Sequence, residues 1–119
     1  MSAAPRPREL AEFLWEESPG HFGGALSKVL VSAGADGSRV LDYRISSYAP
    51  KAHVQTHLHE AKEQIYHFLE GEGLLELDGV RHVVRANSLI YIRPGLSHAL
   101  HNTGLDRLVF LVVTAPVPR

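Results

Sequence analysis

Residues 57–71 read HLHEAKEQIYHFLEG. The segment opens with two histidines one residue apart, His57 and His59. On a β-strand, side chains i and i+2 share a face, so this spacing predicts two imidazoles pointing the same way. A charged turn follows, residues 60–63. Residues 64–69 are rich in β-branched and aromatic side chains and read as the return strand. Gly71 and Gly73 close it. Two imidazoles on one strand and an oxygen donor on its neighbour make most of a metal site. His98 is the candidate for the remaining ligand.

Outward from this pair the pattern stays β. Upstream, residues 26–32 and 39–48 read as strands, separated by a turn at 33–37, and Ala49-Pro50-Lys51 breaks the second before a strand at 53–59. Downstream, residues 74–77 and 80–84 flank Asp78-Gly79, a strong two-residue hairpin signal. Strands are expected at 89–93, 96–102 and 108–113, the last wholly apolar and read as core. Turns fall at Asn87-Ser88, Pro94-Gly95 and 103–106. Many short strands with regular turns predict an all-β fold, a small antiparallel β-barrel or sandwich. Residues 1–24 are read as an N-terminal extension and 25–119 as one barrel domain. Within the extension, residues 1–8 hold two prolines and two arginines and are expected to be mobile. Leu10, Phe13 and Leu14 have helical spacing over 9–17. Alternatively Phe13, Leu14 and Trp15 lie extended along a second subunit. That apolar segment outside the barrel motivates the expectation of a homodimer.

The composition narrows the function. The chain has 119 residues, enough for one core, and a formal net charge of −1 with its basic residues scattered. That argues against a nucleic-acid partner held by phosphate contacts. With no cysteine, any metal must be held by nitrogen and oxygen donors. The opening MSAAPRPREL lacks the apolar stretch of a signal peptide, and no apolar run reaches spanning length, so the expectation is a cytoplasmic protein without a membrane partner. Eight histidines are present, four of them between His53 and His67.

The two histidine-bearing segments together resemble the cupin family. Its first motif has the form G-x5-H-x-H-x(3,4)-E-x6-G and its second G-x5-P-x-G-x2-H-x3-N. The matching positions are His57, His59, Gly71, Gly95, His98 and Asn102, and the resemblance covers residues 45–114. It implies a jelly-roll barrel, or double-stranded β-helix, with a metal in its mouth. This chain departs from the motifs in places. Lys51 and Asn87 stand where each motif opens with glycine; asparagine tolerates the left-handed backbone region, so that turn can survive. Arg93 stands at the motif's proline, with Pro94 one place later. Gln64 stands at the glutamate position, counting back from Gly71, while Glu63 fits the shorter spacing. Successive strand residues face opposite ways, so only one of the two can face a metal. Register favours Gln64, which shares its face with Tyr66 and Phe68. The expected ligand set is therefore His57, His59, Gln64 and His98, holding one divalent ion (Zn, Ni, Mn or Fe).

The bland reading makes these histidines surface or core residues, which suits one histidine better than three at family spacing. His53, His67, His82 and His101 are expected to be structural or exposed. Arg44 and Tyr48 share a face on the preceding strand and are candidates for gripping an anionic substrate, or else surface or barrel-rim residues. Three functions follow. A metal-dependent enzyme would polarise a small oxygenated substrate in isomerase, lyase or cyclase chemistry, with Tyr66 as candidate acid or base. An iron or nickel dioxygenase would be favoured by Glu63 as ligand. The third is a non-catalytic small-molecule-binding domain.

Overall fold

Residues 63–69 alternate cleanly. In the computed structural model, which describes residues 4–117, Gln64, Tyr66 and Phe68 are buried while Glu63, Ile65, His67 and Leu69 are exposed. That alternation is the sequence's period-2 pattern made physical: one face packs inward and the other does not.

The chain runs through a single 3-10 turn (Leu10–Glu12), then β1 (Glu16–Glu17), β2 (His21–Phe22), β3 (Ala25–Val31), α1 (Ala33–Asp36), β4 (Asp42–Tyr48) and β5 (His53–His57). It continues through β6 (Glu63–Glu70), β7 (Glu72–Leu77), β8 (Val80–Arg85), β9 (Leu89–Ile92), β10 (His98–His101) and β11 (Leu108–Ala115). Two antiparallel sheets face each other, in the orders β1-β3-β4-β11-β6-β9 and β2-β5-β10-β7-β8. This is the expected all-β jelly roll. The expected strands are all present, several shorter than the sequence suggested. Residues 33–37, expected as a turn, close into one helical turn. Ser32 caps it by accepting from the Ala35 N–H, and Gly37 ends it in the left-handed region.

The core lies between the sheets. Tyr48, Phe68, Phe110, Leu75, Leu100 and Leu108 are almost fully enclosed. Phe110 packs between Tyr48, which it meets edge to face, and Phe68, whose ring is tilted to it, with centroids 5.1 and 5.2 Å away. Burying one such side chain contributes about 1.5–3 kcal/mol, and none of these six residues is a candidate metal ligand.

The turns follow their residues. Asp78 and Gly79 both have positive φ (51° and 81°), as a type I′ hairpin requires. Gly71 joins β6 to β7 at φ 85°, and a Cβ there would collide with the carbonyl oxygen of Arg107, so the position admits only glycine.

The N-terminal extension is partly woven into the barrel. β1 pairs with β3 and β2 with β5, giving each sheet an edge strand. Helical structure over 9–17 is confined to the 3-10 turn. Phe13 packs on the outer face of the larger sheet against the cluster of Leu30, Ile45 and Val109. Leu14 and Trp15 are exposed, with the Lys28 ammonium over the Trp15 ring. Of the expected mobile segment 1–8, residues 1–3 lie outside the described residues. Arg6 and Arg8 pair with Glu12 and Asp36, exposed contacts that contribute little each.

Candidate metal centre

The three histidines converge by a route more particular than simple alternation. Strands β5 and β10 pair His57 with His98 but Val54 with Leu100. Three steps along β5 therefore match two along β10, which is a β-bulge. Val54 faces the core, so strict alternation would turn Thr56 inward and His57 outward. The extra residue re-aims His57 to the interior, opposite His98. His59 lies beyond the end of β5, not on the strand as expected. Its carbonyl accepts the Gly95 N–H at 2.7 Å, which ties the first histidine loop to the Pro94-Gly95 turn. Ring centroids are 4.1 Å apart for His57–His98, 5.2 Å for His57–His59 and 6.0 Å for His59–His98. One nitrogen from each ring lies within 4.8 Å of the other two.

Hydrogen bonding settles which nitrogens are free on two of the rings. His57 Nδ1 lies 2.8 Å from the Gln55 carbonyl and His98 Nδ1 lies 2.9 Å from that of Leu96. A carbonyl can only accept, so Nδ1 carries a proton on both rings, and in the neutral imidazole Nε2 is the nitrogen left with a lone pair. Such second contacts orient metal-binding imidazoles generally. Burial pushes the His98 imidazole down to about 4, partly offset by its bond to Leu96, with His57 and His59 lowering it further. His59 is also lowered, first by burial and then by the charges of His57 and Lys62. These two rings are therefore neutral at pH 7, as ligands must be.

Gln64 lines the same cavity as His57 and His59. Its Nε2 donates to Thr114 Oγ1 at 3.0 Å. Its Oε1 and His98 Nε2 are both buried with no hydrogen-bond partner. An orphaned buried acceptor costs about 1–3 kcal/mol. One of the two, His98 Nε2, belongs to the histidine cluster, where a bare buried lone pair fits a cation. Glu63 is exposed and faces the other way. Imidazole nitrogens and an amide oxygen are donor types that suit a divalent ion.

Gln64, Tyr66, His57 and His59 line one cavity of about 380 Å³. Tyr66 packs its ring 5.9 Å from that of His98 and 5.4 Å from that of Phe110. Burial raises its hydroxyl above the ordinary phenol range, so it holds its proton. Arg44 and Tyr48 also line the cavity, as do Lys62, Asp42 and His21, which the sequence reading did not single out. The strand parity of Arg44 was the available signal for Asp42, two residues away. Nothing in the sequence marked Lys62 or His21. His53 and His101 stack on each other at 5.2 Å, while His67 and His82 are exposed.

Asn102 is structural. It donates to the carbonyls of Tyr48 and Asp106 and accepts from the Gly104 N–H, pinning the β10–β11 connection. Asn87 and Lys51, at the two missing motif glycines, take left-handed φ of 76° and 77°. The backbone demanded by each motif is thus kept without its glycine.

The family model for the cupin domain matches residues 44–114. The chain belongs to the cupin family. This cupin is 38% identical over 60 residues to an uncharacterized protein of Methanocaldococcus jannaschii, an overlap of 50% of this chain and 48% of the relative. It is 36% identical over 64 residues to the oxalate-binding protein of Thermotoga maritima, 54% of this chain and 53% of that one. The chain thus spans about half the length of the curated relatives it matches. Among solved structures, a predicted oxalate decarboxylase from Thermotoga maritima superposes with a TM-score of 0.82 at 27% identity, covering 92% of this chain and 97% of that one. Among the described residues no helix is long and apolar enough to cross a membrane.

Proposed function

We propose that this cupin is a metal-dependent enzyme acting on a small oxygenated molecule in non-redox isomerase, lyase or cyclase chemistry. The observation that carries the reading is the pair of orphaned buried acceptors, Gln64 Oε1 and His98 Nε2, in a site whose other donors are His57 and His59. These four residues would hold one divalent ion. When bound, such an ion supplies Lewis acidity to a carbonyl, enol or carboxylate oxygen. Four neutral donors leave its charge undiminished. Tyr66, kept protonated by burial, would serve as a proton or hydrogen-bond donor to the polarised oxygen. The oxalate-binding relative and the predicted oxalate decarboxylase support an oxygen-rich acid as the kind of molecule bound. The relative's name also supports a second reading, a non-catalytic binding domain. The test is metal analysis of protein purified without added metal, then turnover assays on the loaded protein. Sub-stoichiometric metal after incubation with excess Zn²⁺, Ni²⁺, Mn²⁺ and Fe²⁺ in turn would sink the proposal.

We also propose a cytoplasmic homodimer with no nucleic-acid or membrane partner. Its support is the exposed apolar surface at Leu14 and Trp15 and at Ile65, Leu89 and Tyr91 on the larger sheet. Light scattering that reports a monomer at micromolar concentration removes the dimer.

A further inference from the structure

The wall of the cavity formed by β4 is charged. Cross-strand register sets Asp42, Thr114 and Gln64 in one row over β4, β11 and β6, and Arg44, Val112 and Tyr66 in the next. All six line the cavity. Two strand spacings, about 10 Å, separate the Arg44 backbone from that of Tyr66, so Arg44 lines the cavity two strands away from the Gln64 and Tyr66 side.

A charge on the inward side of a sheet is costly unless paired. Asp42 pairs this one. Arg44 Nε donates to Asp42 Oδ1 at 2.7 Å and Nη2 to Oδ2 at 3.1 Å. The contact holds Arg44 protonated, chiefly through the hydrogen bonds to Asp42. It uses one edge of the guanidinium fork. Among the described residues Nη1 makes no hydrogen bond, and a guanidinium has five N–H groups to place. The other edge is therefore free, fixed in direction by Asp42, and half-buried, where a charge-assisted hydrogen bond is stronger than in water.

The charge balance points the same way. Asp42 offsets Arg44, and Glu16 adds a carboxylate field from outside the cavity. Lys62 adds a positive charge at the mouth, close enough to depress His59. The donors at the other end are neutral, so a divalent ion there would add its full charge and leave the cavity net positive. An arginine fork matches a planar carboxylate in two parallel hydrogen bonds.

We propose that the substrate is a small dicarboxylate, one oxyanion at the metal-binding donors and a second, remote carboxylate on the free edge of Arg44. This rests on the metal-dependent reading above. Asp42 is the positioning residue that aims the fork.

The test is calorimetric titration of zinc-loaded protein with acetate, malonate, succinate and glutarate, with zinc content measured on each preparation. Acetate can reach only one end. At least one of the three dicarboxylates should bind about tenfold to a hundredfold tighter than acetate, the worth of a charge-assisted pair. In Arg44→Gln that preference should vanish, with zinc content and acetate affinity unchanged. Arg44→Lys should restore part of it. Should Arg44→Gln misfold because Asp42 is left unpaired, the double replacement Asp42→Asn with Arg44→Gln removes the buried charge as well. Zinc-loaded wild-type protein that binds every dicarboxylate no tighter than acetate overturns this proposal alone. So does a preference that survives Arg44→Gln. Wild-type protein that takes up neither zinc nor, tried in its place for the same titrations, Ni²⁺, Mn²⁺ or Fe²⁺ overturns the metal reading and this one with it.

Discussion

The side-chain amide of Gln64 is held by Thr114, Nε2 donating to Oγ1 at 3.0 Å, which leaves Oε1 buried and without a partner. The two residues are register partners on β6 and β11, so the contact is built into the sheet. If Gln64 is the fourth ligand, Gln64→Ala should weaken metal binding, and Thr114→Val, which frees the amide to turn, should weaken it about 10- to 100-fold as outer-contact losses do. Glu63→Gln, on the exposed side of the strand, should leave metal content unchanged. Competition with a chelator of known affinity gives all three numbers. The opposite ranking would return Glu63 to the site and with it the redox-active dioxygenase reading.

His57→Ala, His59→Ala and His98→Ala should each lower metal content sharply while the β-sheet circular dichroism persists. The aromatic and aliphatic core between the sheets is formed without the site. Metal should add stability by linkage, about 2.7 kcal/mol when free ion stands at 100 times Kd, and EDTA should lower the melting temperature of wild-type protein but not of the triple variant. If the triple variant keeps stoichiometric metal, the cluster is not the site.

Much of this was legible in residue order, because period-2 burial and turn chemistry are local. Gln64, Tyr66 and Phe68 declare their common face, and Asp78-Gly79 declares its hairpin. The convergence of His57 with His59 was expected for a reason that proved incomplete. The i, i+2 rule placed both on one strand, whereas a bulge turns His57 inward and a loop hydrogen bond to Gly95 carries His59. A bulge depends on the partner strand's register, which a single strand's sequence does not contain. The pairing of Arg44 with Asp42 was hidden for a similar reason: i and i+2 share a face, but only the register across β11 to β6 brings that face to the cavity. Strands β1 and β2 are two residues each, too short to leave a periodic signal.

Lys51 offers a test of backbone strain. It holds φ 77° and donates its N–H to the Asn102 carbonyl at 3.1 Å. The left-handed region costs a residue with a Cβ about 1–2 kcal/mol, while glycine gives back about 0.4–1 kcal/mol through a freer unfolded chain. Lys51→Gly should therefore stabilise the fold, by about 0.5–1 kcal/mol. Asn87→Gly at φ 76° should be close to neutral, because asparagine already visits this region at low cost. Urea midpoints at unchanged m-value measure both.

Acid should destabilise the metal-free protein through His98. Its folded-state pKa is pushed down to about 4, against about 6.5 for a histidine in the unfolded chain. Between those values the unfolded chain binds a proton that the folded protein refuses, so stability falls as pH falls through this window and the loss is complete below about 4. The difference corresponds to about 3 kcal/mol across the whole window. His59, lowered mainly by burial, adds in the same direction. Unfolding free energies in EDTA should therefore drop steadily from pH 7 to pH 4.5. In His98→Gln, which keeps a polar side chain but cannot titrate there, the slope should be shallower. Carboxylates held low by their partners also lose stability in acid, but in both proteins alike, so the difference between the two curves isolates His98. Superimposable pH profiles would show that burial of this imidazole is not what makes the protein acid-labile.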